Sequence, residues 1–171
     1  MVLLGLAVRG GSNPVDEWFQ QGRHTAVGRL LFFTDYRTVL LILAGVLVLA
    51  AYRRRWLLVA IVGVTPVVAV WLSRLCKYAF GRQKEGALAY PSGHTTVMVT
   101  VLGMVILVVG ARLWVLVVCV VWTVLGMIGQ AVTYHYFTDA VGALLLGTSL
   151  VCVAAAIKHS PRRRRFTAAS P

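Results

Sequence analysis

The chain has 171 residues, of which 59% are hydrophobic and only 13% charged, and its mean hydropathy is +0.81. A water-soluble domain carries about a quarter charged residues, and a core of this size could not bury apolar runs as long as these. The net charge of +12 would suit nucleic acid, but the basic residues stand in short segments between apolar runs. Topology signals and contacts with anionic lipid headgroups occur there, so nucleic-acid binding is excluded and one membrane domain over residues 1–171 is expected.

In chain order, Val2–Val8 is apolar but short, and reads as a truncated first span. Arg9–Asn13 is glycine-rich, and Pro14–Arg29 is mildly amphipathic. The latter predicts a short interfacial helix with Trp18 and Phe19 at the membrane surface. Five stronger apolar runs follow: Thr38–Tyr52, Trp56–Leu75, Thr95–Gly110, Leu113–Val132 and Ala140–Ile157. Each is close to the roughly 20 residues that a spanning helix needs. The runs are continuous rather than alternating, so helices and not barrel strands are expected, despite their wealth of Val and Ile. The predicted fold is all-α: a polytopic membrane helix bundle of about six helices, the first short. Cys76, Cys119 and Cys152 match no metal or disulfide spacing and read as small hydrophobes.

Arg53–Arg55, Arg112, Lys158 and Arg162–Arg165 share one side of such a bundle, nine basic residues against eight on the other. The nine cluster at helix ends, and four of the eight (Arg74, Lys77, Arg82, Lys84) suit a different purpose. The tail is therefore expected in the cytoplasm. Residues 160–171 read as a short, basic, disordered tail drawn to anionic headgroups, as the basic loops are.

Polar residues that a membrane protein keeps at a cost carry the functional signal. Lys77, Arg82 and Lys84 stand within eight residues at the end of one run. Pro91-Ser92-Gly93-His94 then opens the next. Hydroxyl and amide donors at a helix start favour an anion, and a histidine there can move a proton near neutral pH. His135 and Asp139 form a second constellation at i, i+4 spacing. On a helix they would share a face, and the carboxylate would fix the imidazole tautomer and activate its other nitrogen. A structural hydrogen bond is the bland reading of that pair, and a membrane anchor that of the cations. Two spans separate His94 from His135, so both lie on the same side, expected to be extracytoplasmic. Asp35 is expected only to start a helix, and His24 and His159 to be surface groups.

With these residues the chain resembles the type 2 phosphatidic acid phosphatase superfamily. The family's motifs are Lys-x6-Arg-Pro, Pro-Ser-Gly-His and Ser-Arg-x5-His-x3-Asp. The likeness runs over most of the chain and includes Asp16-Glu-Trp-Phe ahead of the second span. It implies that His135 attacks phosphorus, Asp139 orients His135, and His94 protonates the departing oxygen. Lys77, Ser92 and Gly93 would hold the phosphate oxygens, with either Arg82 or Lys84 standing for the first-motif arginine. No metal or cofactor is implied. Strict spacing puts Lys84 and Glu85 where Arg-Pro is expected, and Ile128 and Gly129 where Ser-Arg is expected. Arg74 and Arg82 are the nearest cations that could fill the gap. The resemblance implies a lipid phosphatase acting on a polyprenyl carrier phosphate or diphosphate, or on a phospholipid phosphate. A lipid phosphotransferase, or a non-catalytic lipid-binding subunit, are the alternatives.

Overall fold

The computed structural model describes residues 1–23 and 25–160. Every long apolar run in them is a helix, because only a helix satisfies a Val-rich backbone without a partner strand. In order, α1 spans Val2–Ala7 and α2 spans Pro14–Gln20. A 3-10 segment covers Ala26–Thr34, and α3 follows over Tyr36–Tyr52. Then come α4 (Trp56–Phe80), α5 (Gly93–Val109), α6 (Leu113–Thr133) and α7 (Phe137–His159). A hairpin of β1 (Gln83–Lys84) and β2 (Ala87–Leu88) joins α4 to α5. Its turn residues Glu85 and Gly86 both have positive φ, 52° and 80°, as a tight two-residue hairpin turn requires.

The architecture is an all-α bundle. Among the described residues, four stretches are long and apolar enough to cross a membrane: Ala26–Tyr52, Trp56–Phe80, Leu113–Thr133 and Phe137–His159. α5 has 17 residues and sits at the centre, against α3, α4, α6 and α7. Beyond its first two turns it is apolar all round, as a helix surrounded by protein must be, and Met98, Val101, Met104 and Val108 are buried. Small residues bring α7 against it. A Cβ on Gly147 would lie 2.8 Å from Val99 Cγ1, the kind of close backbone approach that packs membrane helices.

Successive helices alternate in direction, so the bundle has two chemically different ends. At one end Arg53 donates to the Val108 carbonyl and Lys158 to the Leu107 carbonyl, closing the last turn of α5. His94 and His135 lie at the other end, as the span count predicted.

The first helix is short, as expected, and two other expectations change. α1 has only six residues, about 9 Å of helix, and packs on Phe80 and Tyr90. The amphipathic stretch is helical only over Pro14–Gln20; its Trp18 is exposed, but Phe19 stacks on Phe137 and Asp16 is fully buried. Of the three cysteines, none is in a disulfide, Cys119 is buried, and Cys152 is exposed. The expectations for His24 and for the tail beyond Ser160 fall outside the described residues.

Candidate active site

A groove of about 560 Å³ opens at the His94 end, between α3 and α4 and over the start of α5. Ser73, Arg74, Lys77, Gly93, His94 and His135 give it a polar wall, Val39, Leu40, Val70 and Val97 an apolar one, and Thr34 and Tyr36 complete the lining. Lys77 is held by helix geometry: α4 runs past the predicted Leu75 to Phe80 and stops at Gly81, whose φ of 64° is left-handed. The Lys77 ammonium donates to the Leu88 carbonyl of the hairpin at 2.9 Å. His94 is exposed on the first turn of α5, where amide dipoles favour an anion. Asp35 caps α3 through the amides of Arg37 and Thr38, as expected of it.

His135 does not sit on a helix with Asp139. It lies in the turn between α6 and α7, and Asp139 is in the first turn of α7, where its carboxylate accepts the Tyr136 amide. The turn still faces the pair toward each other. His135 Nδ1 is 3.6 Å from Asp139 Oδ2 and has no hydrogen-bond partner. That distance is too long for a hydrogen bond, but catalytic pairs often tighten only when substrate is bound.

Asp139 is held from behind by Arg82, and here the sequence expectation is corrected. Arg82 was a candidate to hold phosphate. Its side chain is fully buried and faces away from the groove. The guanidinium donates to Asp139 Oδ1 and Thr138 Oγ1 at 2.6 Å, and to Asp16 Oδ2 and the Gly11 carbonyl at 2.7 Å. It also stacks over the Tyr136 ring at 4.5 Å. Four of its five donors are occupied, so no fork remains for a ligand.

Lys84 is likewise not at the groove. Its ammonium donates to Gln20 Oε1 and the His135 carbonyl, and lies over Tyr136. Burial pushes its pKa down, against a smaller opposite pull from Glu85. Lys84 therefore fixes the backbone that carries His135. Ser92 is also fully buried and does not line the groove. Its amide donates to the Asp139 carbonyl and its hydroxyl oxygen accepts from Thr95. Of the residues expected to hold phosphate, Lys77 and Gly93 face the groove, and Ser92, Arg82 and Lys84 brace it.

Sequence reasoning missed Asp16. It accepts from Arg82, from the Thr138 amide and from the Thr138 hydroxyl, and so ties α2 to the start of α7. The signal was present: Asn13-Pro14-Val15-Asp16 is a capping box, in a chain with only 5 acids. Tyr90 was missed too. Its buried phenol donates to the Met1 carbonyl, and burial pushes its pKa up to about 12.

Gly129, where the resemblance would put an arginine, has no room for a side chain. A Cβ on Gly129 would lie 2.6 Å from the Leu30 carbonyl carbon and 2.7 Å from the Leu31 nitrogen. Backbone of the 3-10 segment occupies that space, so Gly129→Arg should not gain function. It should unfold or displace the segment, at a cost at or above the roughly 1–3 kcal/mol of ordinary overpacking. A fall in thermal midpoint in detergent checks this. Unchanged stability with raised activity would contradict it.

Comparison with known proteins found no family model, no curated protein and no solved structure that matches the chain.

Proposed function

We propose that the chain is a multi-pass membrane phosphatase that removes phosphate from a lipid through a phosphohistidine on His135. One observation carries the reading: two histidines from distant parts of the chain, a lysine and an arginine line one groove whose deeper wall, Val39, Leu40, Val70 and Val97, is apolar. Such a groove suits a molecule with a phosphate at one end and a hydrocarbon chain at the other. α3 to α7 are the spans of this reading.

In the proposed reaction His135 Nε2 attacks phosphorus, and the bond from phosphorus to the lipid oxygen breaks. His94 gives its proton to that oxygen. Water then attacks the phosphohistidine, His94 takes the water's proton, and inorganic phosphate leaves. Asp139 stands behind Nδ1 and stabilises the cationic ring. Lys77 and the amides at the start of α5 stabilise the phosphate oxygens. Arg53–Arg55, Arg112 and Lys158 lie at the opposite end and suit contacts with anionic headgroups on the cytoplasmic side. The groove would then be extracytoplasmic.

A second reading, a non-catalytic lipid-binding subunit, draws on one observation. Both Asp139 oxygens already accept hydrogen bonds, from Arg82 and from the Tyr136 amide. The test is phosphate release by the purified protein from polyprenyl phosphate, polyprenyl diphosphate, phosphatidylglycerol phosphate and phosphatidic acid, with EDTA present. Release from at least one lipid is the expected result. Lipid binding with no release from any of them would favour the second reading.

A further inference from the structure

We infer that Arg74 is a second phosphate-holding residue of the groove and selects a lipid diphosphate over a monophosphate; this rests on the phosphatase reading above. Arg74 lies within α4, two turns before its end, and lines the groove. Among the described residues it makes no hydrogen bond and no ion pair. An arginine inside a spanning segment is kept against a solvation cost and marks, as a rule, a substrate path.

Depth gives the specificity. Arg74 is three residues before Lys77 on the same helix face, so it stands roughly 4.5 Å deeper along the axis. Val70 lies one further turn in, and Leu40 lies about one turn into α3 from its start at the same end. A Cβ on Gly93 would lie 3.8 Å from Ser73 Oγ, so the start of α5 stands at about the level of Arg74, and the groove reads, from mouth to interior, as Lys77, then Arg74 beside His94, then apolar wall. A lipid diphosphate has the same order: a terminal phosphate, a second phosphate one bridging oxygen away, then hydrocarbon. With the terminal phosphorus at His135, the inner phosphate falls at the level of Arg74. A monophosphate would instead set the guanidinium against the start of the tail.

In the reaction so specified, His135 Nε2 bonds to the terminal phosphorus and the bond to the bridging oxygen breaks. That oxygen leaves as part of a lipid monophosphate. Water then releases inorganic phosphate from His135. Arg74 can hold the inner phosphate bidentately throughout.

The experiment compares kcat/KM for a prenyl diphosphate and a prenyl monophosphate of equal chain length, with Arg112→Ala, at the opposite end, as control. Arg74→Ala should lower kcat/KM for the diphosphate about a hundred- to a thousandfold and for the monophosphate less than about tenfold. Arg74→Lys should regain part of the loss. Equal losses on both substrates, or no loss, would overturn the assignment and leave Arg74 an interfacial anchor. Failure of the wild type to release phosphate from either lipid would instead defeat the phosphatase reading. Calorimetric titration with inorganic diphosphate and inorganic phosphate then decides Arg74 alone. Tighter diphosphate binding that is lost in Arg74→Ala keeps the assignment, and equal binding in both proteins overturns it.

Discussion

Arg82→Ala should destabilise the protein by about 3–5 kcal/mol, because it leaves buried carboxylates with no compensating cation. Asp16, Arg82 and Asp139 side chains are all fully buried, and the guanidinium bridges the two acids at 2.7 and 2.6 Å. The same guanidinium ties the hairpin to the Gly11 carbonyl and to Thr138. Arg82→Lys keeps the charge but not the fork, so an intermediate loss is expected. Asp16→Asn removes one acid and leaves the Arg82–Asp139 pair, and should cost less than Arg82→Ala. The exposed pair Arg23–Glu85 is the internal comparison: Glu85→Ala should leave the thermal midpoint almost unchanged. Thermal unfolding in detergent, followed by intrinsic fluorescence, measures all four. Equal midpoints for Arg82→Ala and the wild type would contradict this account of the cluster.

His135→Ala should abolish phosphate release while leaving the fold intact. Loss of a nucleophile costs on the order of 10⁶ in kcat where it has been measured. Among the described residues the His135 side chain makes no hydrogen bond, and its anchoring comes from its backbone carbonyl, which accepts from Gln20 and Lys84. Alanine preserves that carbonyl. His94→Ala removes a proton donor and should cost about 10²–10⁴. Asp139→Asn should differ from both, lowering activity and stability together, because Asp139 serves His135 on one side and Arg82 on the other. A split between activity and thermal midpoint across the three variants therefore separates chemical from supporting roles. Wild-type release by His135→Ala would remove the proposed nucleophile.

Much of this was legible in the sequence. The five apolar runs became α3 to α7 with ends shifted by a few residues, because bilayer-length apolar runs leave the backbone no alternative to helix. The shared end of His94 and His135 followed from counting spans. The proximity of His135 to Asp139 was also legible, though it comes through a turn rather than along a helix and without a hydrogen bond. What could not be read was the direction of charged side chains in the hairpin. Arg82 and Lys84 are two residues apart on a short loop, and nothing local says that Arg82 turns to Asp16, 66 residues away. That contact depends on where α2 docks, and α2 carries only a capping box and one buried acid as signals. The filled space at Gly129 was equally hidden. A glycine in an apolar helix looks like an absent arginine until the Leu30–Leu31 backbone is seen against it. Arg74 was visible as a spare cation, and its depth in the groove became clear only with α4 extended to Phe80.

The most direct test of the central claim is to trap the covalent intermediate. Protein mixed with a lipid phosphate or diphosphate labelled in its terminal phosphate, quenched in alkali within one turnover and digested, should carry acid-labile, alkali-stable phosphate on the peptide containing His135. The label should be absent from His135→Ala. Phosphate release without label on that peptide, or label on another residue, would contradict the account.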